Sequence, residues 1–176
     1  MAKLFTPIRF RETEIKNRIF VAPMCQYSAD DGIANHWHLV HLGGLAVGGA
    51  GLIIVEATAV VPEGRITPRC LGLWSDAHTQ AFKPIVDFIK QQGAVTAIQI
   101  GHAGRKASCD VPWRHGKFLP QEQGGWQTVA PSAIAVTPAH GVPLALDHDD
   151  IQQIASQFRA AAERALEAGF EVLELH

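Results

Sequence analysis

The stretch Val21-Ala22-Pro23-Met24-Cys25-Gln26-Tyr27 closes a short apolar run and turns sharply at Pro23. It presents a thiol and a phenol, Cys25 and Tyr27, at the point where a strand would pass into a loop. Buried strand ends usually close with Gly, Asn or Asp, whereas reactive side chains collect where strands give way to loops. The stretch therefore predicts the end of a core strand that contributes to a functional site.

Outward from this stretch, the chain alternates between short apolar runs and amphipathic segments. Short, fully apolar runs are typical of strands buried on both faces of a parallel sheet. The predicted strands lie at 19–21, 52–55, 94–100 and 170–176. The predicted helices begin near 35, 75 and 147, where Asn35, Ser75-Asp76 and Asp147–Asp150 are candidate caps, and two of them stop at Gly93 and Gly169.

This alternation predicts an α/β fold, in which a parallel sheet is joined by crossover helices. A dinucleotide-binding doubly wound fold is disfavoured, because no G-x-G-x-x-G follows the first strand. A (β/α)8 barrel, or TIM barrel, takes about 250 residues, so four strands would be its first half. A small hairpin or extended lead-in at 4–15 precedes the first strand, and a long loop at 101–148 follows the third.

Composition disfavours several classes of protein. The net charge of −2 leaves no electrostatic footprint for nucleic acid. The three cysteines lie far apart without a C-x-x-C pair, which argues against a disulfide framework or structural zinc and predicts a reducing, cytoplasmic compartment. The apolar segment 42–55 is short of the roughly 20 residues that a membrane helix needs, so no membrane association is expected.

Polar or reactive side chains stand at the end of every predicted strand. They are Cys25 and Tyr27 after the first strand, Glu56-Ala57 after the second, Gln99 in the third and His176 after the fourth. Because active sites of barrels lie at the carboxyl ends of the strands, these residues are expected to share one site. Gln99 has a second interpretation, as a core residue whose amide is hydrogen-bonded within the protein. This follows because it shares a strand face with Val95 and Ala97.

The histidines of the segment 36–41 suggest a metal site, but the spacing does not support it. In a helix only His38 and His41 share a face. No carboxylate or cysteine ligand stands at matching spacing, so a metal is not expected.

Other reactive or aromatic residues have simpler interpretations. Cys70 and Cys109 are interpreted as ordinary small residues, not as nucleophiles. Cys25 is itself open to interpretation as a buried structural thiol. Trp113 and Trp126 are interpreted as packing for the long loop.

Four segments, taken together, resemble a known family. They are 21–27 (VAPMCQY), 98–106 (IQIGHAGRK), 130–134 (APSAI) and 168–176 (AGFEVLELH). The chain resembles the old yellow enzymes, which are FMN-dependent ene-reductases, and most of all the xenobiotic reductases and their thermophilic relatives. The resemblance runs through the whole chain in order.

The resemblance implies a (β/α)8 barrel that holds FMN at its top. The flavin contacts that it implies are Ala22, Pro23, Met24, Cys25, Ala57 and Gln99. The segment 22–25 would line the flavin with its backbone. The side-chain amide of Gln99 would bond the pyrimidine edge, because an amide offers both a donor and an acceptor.

The resemblance also implies catalytic roles. Cys25 would tune the flavin's redox potential, and Tyr27 would help to place the substrate. His176 would be the first of two histidines that hold the substrate's carbonyl oxygen. The implied reaction passes hydride from NADPH or NADH through FMN to the β-carbon of an α,β-unsaturated carbonyl compound, in an enzyme that is a homo-oligomer at full length.

The sequence ends at His176, inside the last of the four matching segments. A truncated barrel is therefore expected, with residues 1–176 as the N-terminal half of one flavin-binding domain. Two alternatives stay open. One is another flavin barrel, of the tRNA dihydrouridine synthase type or the multidomain dienoyl-reductase type. The other is a half-barrel that is inactive alone or assembles with a partner chain.

Overall fold

The computed structural model describes residues 2–176 and has four parallel strands in its main sheet. The strands of the chain are β1 (Ile8–Phe10), β2 (Thr13–Ile15), β3 (Phe20–Val21), β4 (Leu52–Ala59), β5 (Val95–Gly101), β6 (Val129–Ala130), β7 (Leu144–Ala145) and β8 (Val172–Leu175). The α-helices are α1 (His36–Val47), α2 (Asp76–Gln91) and α3 (His148–Ala168). The main sheet has the order β3-β4-β5-β8, and all its pairs are parallel. The predicted order of strands and helices is confirmed.

The capping residues predicted for α1 and α3 form reciprocal caps. The Asn35 side chain accepts the Trp37 N–H, while His38 Nδ1 accepts the Asn35 N–H at 3.1 Å. Asp147 and Asp150 exchange the same pair of bonds at the start of α3. Such caps satisfy amide groups that the first turn of a helix leaves without partners.

Helix α2 begins where the sequence predicts but is capped differently. The Ser75 side chain makes no cap and instead bonds His78 Nδ1 at 2.7 Å. Pro84 lies inside the helix, which continues through it to Gln91. Packing of the buried face of α2 outweighs the loss of one helical hydrogen bond at Pro84.

The sheet separates two apolar layers. On one face, Ile53, Val55 and Ile98 pack against the three helices, around the fully buried Phe82. On the other face, the residues that alternate with these pack together with the hairpin of β1 and β2. This second layer consists of Ile15, Leu52, Val95 and Ala97. The period of two along each strand thus gives an inner and an outer face, as in a barrel wall.

Strand β4 is longer than the predicted strand at 52–55, and it is bulged. Val55 pairs with Ile98 and Thr58 pairs with Ile100, so that Glu56 and Ala57 together stand opposite Gln99. Two residues facing one form a β-bulge, which is common beside active sites. Glu56 and Ala57 therefore lie in a bulge within the strand and not after its end, which corrects the prediction.

The long loop after β5 is ordered by its own hydrogen bonds. Its short strands β6 and β7 pair in parallel. The Trp126 indole N–H donates to the Glu63 carbonyl at 2.8 Å, which confirms that this tryptophan packs the loop. The chain also has 3-10 turns at Lys3–Phe5, Pro62–Gly64, Gly104–Lys106, Pro112–Arg114 and Gln121–Gln123.

Both outer strands of the main sheet keep a free edge within residues 2–176. They are β3 and β8, and each exposes a large apolar side chain, Phe20 at 39% and Leu175 at 72%. A long apolar helix that could cross a bilayer does not occur in the same range.

Candidate active site

A cavity of about 70 Å³ lies at the carboxyl ends of β4, β5 and β8. The residues that line it are Ala57, Thr58, Ala59, Gly64, Arg65, Ile66, Cys70, Gly101, His102, Ala103 and His176. Ala57 and His176, predicted from separate strands, thus face the same space. Parallel strands bring their carboxyl ends to one edge of a sheet, and this is how residues so distant in sequence meet.

Cys25 joins this site through its thiol. The neighbouring Cys70 thiol, followed by burial, raises the pKa of Cys25 well above its ordinary value, and the nearby Ala57 N–H opposes this shift. Cys25 is therefore a neutral thiol near pH 7 and a poor nucleophile.

Cys70, interpreted from the sequence as an ordinary small residue, lines the cavity of the candidate site. Its sulfur lies 3.4 Å from the Thr67 N–H donor and 3.3 Å from Thr67 Oγ1. The hydrogen bond with Cys25 and the bonds from Thr67 lower the pKa of Cys70 to about 7, against the effect of burial. No sequence signal could pair Cys70 with Cys25, because 45 residues separate them without a C-x-x-C motif.

Tyr27 stands beside the two thiols in a constrained backbone. Its φ of +50° is left-handed, a conformation that few non-glycine residues adopt. Burial, with the neighbouring Cys25 and Cys70, raises the pKa of its phenol to about 12. Its ring packs edge-on against Trp113, with 6.0 Å between the centroids. Trp113, interpreted from the sequence as loop packing, therefore extends from the long loop to the site.

The buried carboxylate of Glu56 holds the segment 21–27 in place through Gln26. Glu56, only 3% exposed, accepts the Gln26 N–H at 2.8 Å through one oxygen. Its other oxygen lies 3.5 Å from His38 Nε2. Since His38 Nδ1 accepts a hydrogen bond from the backbone, the proton of the neutral ring lies on Nε2, towards Glu56. The bulge of β4, the start of α1 and the segment after β3 are thus connected.

His38 and His41 line the same small cavity, but their rings make separate contacts. The His41 ring stacks on Trp37 at 6.5 Å, nearly parallel. His38 is committed to the cap of α1 and to Glu56. Residues 2–176 hold no cluster of three ligand side chains suited to a metal ion.

Gln99 and His176 are linked through Glu174 on β8. The Gln99 amide, 6% exposed, donates to Glu174 Oε1 at 2.9 Å. His176 Nδ1 lies 3.8 Å from the same oxygen, and the ring is 70% exposed. No motif of the sequence points to Glu174, because its position next to Gln99 depends on the β5–β8 register.

The residues of the site fit a flat heteroaromatic ring such as that of FMN. Ala22 and Met24 are exposed and apolar, with Pro23 partly covered between them. In the described part of the chain, the Gln99 amide oxygen makes no hydrogen bond, so it is available to a ring N–H. The contacts that the structure shows do not join Ala22, Pro23 or Met24 to the cavity beside His176.

Comparison with known proteins identifies the family. The model of the NADH:flavin oxidoreductase / NADH oxidase family matches residues 3–176, and the chain belongs to this family. The chain is 49% identical over 178 residues to NADH:flavin oxidoreductase FG08077 of Gibberella zeae, covering 99% of this chain and 43% of that protein. It is 42% identical over 176 residues to an NADPH dehydrogenase of Bacillus subtilis, covering 99% of this chain and 48% of that protein.

Solved structures agree with this assignment. Morphinone reductase superposes with a TM-score of 0.83 at 30% identity, over 98% of this chain and 47% of that one. The old yellow enzyme homologue from Zymomonas mobilis superposes with a TM-score of 0.82 at 32% identity. This match covers 99% of this chain and 48% of that one. The predicted resemblance to old yellow enzymes and the predicted half of a TIM barrel are confirmed. The chain spans about half the length of the curated relatives that it matches.

Proposed function

We propose that residues 1–176 form the N-terminal half of one flavin-binding domain in an FMN-dependent NAD(P)H oxidoreductase. The proposed reaction is reduction of the C=C bond of small α,β-unsaturated carbonyl compounds. The observation that carries the proposal is that Ala57 and His176 line one cavity at the carboxyl ends of the parallel strands, while Glu174 links Gln99 to His176. The family and the relatives' names support a flavin and a reduced nicotinamide.

The proposed cofactor contacts are the backbone of 22–25, Ala57 and the Gln99 amide. The chemistry that FMN supplies when bound is hydride transfer, from NADPH or NADH and then to a polarised double bond. Glu174 anchors the amide N–H of Gln99, which leaves the carbonyl oxygen facing a ring donor. An amide fixed in this way selects a ligand edge with an N–H at that position.

His176 is proposed to bind the carbonyl oxygen of the substrate. Its exposed ring lines the cavity, and Glu174 lies on its Nδ1 side, which leaves Nε2 for the substrate. A donor at this oxygen stabilises the enolate-like charge that develops when hydride adds to the β-carbon. Loss of one such donor typically lowers kcat by about 10²–10³-fold.

Tyr27 and Cys25 are proposed to act in their neutral forms. The raised pKa of the Tyr27 phenol keeps its O–H available to donate a hydrogen bond to the substrate. The raised pKa of Cys25 keeps a thiol, and not a thiolate, beside the proposed flavin site. Cys25 would thus tune the cofactor without forming a covalent intermediate.

The compartment is proposed from the thiols, and the assembly from the family resemblance. Three free cysteines suit a reducing compartment, so the protein is proposed to act in the cytoplasm. The whole protein is also proposed to be a homo-oligomer, as the resemblance to the old yellow enzymes implies.

The test is an anaerobic flavin titration. The chain is mixed with FMN, reduced with NADPH, and then given 2-cyclohexenone while the yellow flavin absorbance is followed. The proposal expects bleaching by NADPH and recovery only with the enone; cyclohexanone, which lacks the C=C bond, is the matched control. A chain that binds and bleaches FMN but recovers equally with both ketones would contradict ene-reduction.

A second candidate is a half-barrel that is inactive alone and needs a partner chain. The free edges of β3 and β8, with Phe20 and Leu175 exposed, favour it. Absence of any FMN binding in the titration would support this candidate over the first.

A further inference from the structure

A serine and a histidine outside the candidate active site form a hydrogen-bonded pair at the start of α2. Ser75 Oγ lies 2.7 Å from His78 Nδ1. The other ring nitrogen, His78 Nε2, lies 3.1 Å from the Asp31 carbonyl oxygen. Because a carbonyl oxygen can only accept, the ring proton lies on Nε2, and Nδ1 accepts the hydroxyl proton of Ser75. The hydroxyl thus faces a base whose orientation is set by a third group.

Packing fixes the ring of His78 in this orientation. The residue is 3% exposed, and its ring lies against the Trp74 indole, with 4.3 Å between the centroids. A Cβ atom at Gly32 would lie only 2.9 Å from His78 Nε2, so the segment before α1 covers the ring closely. Burial lowers the pKa of His78, which keeps the ring neutral near pH 7 and able to accept a proton.

Ser75 is accessible from solvent and lies beside free backbone donors. The residue is only partly buried, and the next two residues, Asp76 and Ala77, begin α2. Within residues 2–176 the N–H groups of Asp76 and Ala77 have no hydrogen-bond partner, since the Ser75 side chain does not cap the helix. Amides that directly follow a nucleophile can stabilise the oxyanion that forms in acyl transfer.

We propose that Ser75 is a nucleophile, activated by His78, that takes up the acyl group of an activated ester such as an aryl ester or a thioester. A nucleophile within hydrogen-bond reach of a base, with the base oriented by a third group, is the arrangement of covalent catalysis by serine. This reaction needs neither FMN nor an enone, so it does not rest on the proposed function.

A second hydroxyl–imidazole pair in the chain shows what the Ser75 pair has in addition. Thr137 Oγ1 lies 2.8 Å from His140 Nδ1, at the same spacing of three residues. In the part of the chain that the structure describes, no group bonds the other nitrogen of His140, and no helix begins at this turn. The Thr137 pair therefore has the contact without the orienting carbonyl and without the helix amides.

The atoms of the reaction balance without an oxidant or a reductant. Ser75 Oγ attacks the carbonyl carbon of the ester while its proton passes to His78 Nδ1. The carbonyl oxygen becomes an oxyanion beside the amides of Asp76 and Ala77. The bond to the leaving group then breaks, and the departing aryloxide or thiolate takes the proton from Nδ1. The products are an ester of Ser75 and a free phenol or thiol.

The test measures acetylation of Ser75 by p-nitrophenyl acetate, with no flavin present. The folded chain is sampled over time near pH 7, and mass spectrometry of its digest gives the acetylated fraction of each peptide separately. The Ser75 peptide should gain its acetyl group about 10²-fold faster than the peptides of Thr137 and of the exposed Ser156, because a positioned base accelerates the attack. In urea this difference should disappear, since the unfolded chain does not hold His78 beside Ser75.

A pair of variants separates activation by the base from simple exposure. His78→Gln keeps the Ser75 hydroxyl but removes the basic nitrogen, so acetylation of Ser75 should slow by about 10²-fold. His140→Gln, the matched change at the second pair, should leave the rate at Ser75 unaltered. Equal rates at Ser75, Thr137 and Ser156, or a fast rate at Ser75 that persists in urea, would overturn the proposal, as would an unaltered rate in folded His78→Gln. The comparison within the unaltered chain needs no variant, so a misfolded His78→Gln leaves the test decisive.

Discussion

At the scale of residues, the site depends on side chains whose ionisation is set by their neighbours. Cys25 and Cys70 share one interaction, but their pKa values move in opposite directions. The largest influence on each thiol is the other one, and the donors of Thr67 lower the pKa of Cys70 further. The ionisation of each thiol therefore depends on the other one.

The tuning role of Cys25 predicts a change in potential and not a loss of binding. Cys25→Ala should still bind FMN, since the proposed flavin contacts of 22–25 are backbone groups, while the reduction potential of the bound flavin shifts. Spectroelectrochemical titration of the flavin measures this shift. Cys109→Ala, which alters a thiol of the long loop, should leave the potential unchanged. An unaltered potential in Cys25→Ala would show that this thiol does not tune the flavin.

The ionisation of Tyr27 can be followed without overlap from another phenol, because it is the only tyrosine of the chain. Ultraviolet absorbance should show the phenol ionising near pH 12 in the folded chain and near pH 10 in urea. The folded-state pKa is the higher one, so this group stabilises the fold below pH 10 and that contribution is lost as the pH rises towards 12. Ionisation near pH 10 in the folded chain would contradict the buried position of the phenol.

At the scale of elements, the bulge in β4 connects the sheet to the first helix. It places Glu56 between the Gln26 N–H and His38, whose other nitrogen caps α1. In a regular strand Glu56 and Ala57 would lie on opposite faces of the sheet. The bulge changes this, so that both residues lie beside the segment 21–27. The cap, the bulge and the Cys25 segment therefore depend on one another.

Replacing the buried carboxylate should destabilise the chain. In Glu56→Gln the amide oxygen can still accept the Gln26 N–H, but the amide NH2 would then face the His38 Nε2–H, donor against donor. The expected loss is about 1–3 kcal/mol in the free energy of unfolding, measured by urea denaturation.

The matched control for this loss is an exposed ion pair. Glu167 bonds Lys83 at 3.1 Å with 57% of its side chain exposed. Glu167→Gln should cost about 0–1 kcal/mol, because water screens an exposed pair. Equal losses in Glu56→Gln and Glu167→Gln would show that the buried connection adds nothing to stability.

At the scale of the whole molecule, the sheet has two free edges where a closed barrel has none. The free N–H and C=O groups of β3 and β8 can pair with another chain, and exposed apolar side chains lie beside them. The two faces of the sheet are covered within the chain itself, by the helices and by the hairpin. The edges of β3 and β8 are therefore the surfaces at which pairing with another strand is expected.

Self-association through β8 is expected to depend on Leu175. The chain should sediment above its monomer mass of 19.1 kDa as its concentration rises, and Leu175→Lys should return it towards the monomer. Val40→Lys is the control, because Val40 is equally exposed, at 73%, but lies on a helix with no free edge. A monomer at every concentration, or equal effects of both variants, would contradict pairing at the β8 edge.

Much of the architecture could be predicted from local patterns. Asn35, Asp147 and Gly169 act through groups within a turn of the chain, so the ends of their helices can be read from the residues. The extent of β4 could not be read in this way, because its bulge exists only in register with β5. The contact of Trp113 with Tyr27 could not be predicted either, since a loop residue shows no periodicity that points to its contact.

The sequence by itself determined the alternation of strands and helices, the parallel sheet and the family resemblance. These properties follow from periodicity, capping and motifs, all of which act over a few residues. Only the tertiary structure decided that Cys70 meets Cys25, that Glu56 bonds the segment 21–27, and that Glu174 joins Gln99 to His176. Such contacts depend on strand register and on the path of loops, and these are settled by packing between segments distant along the chain.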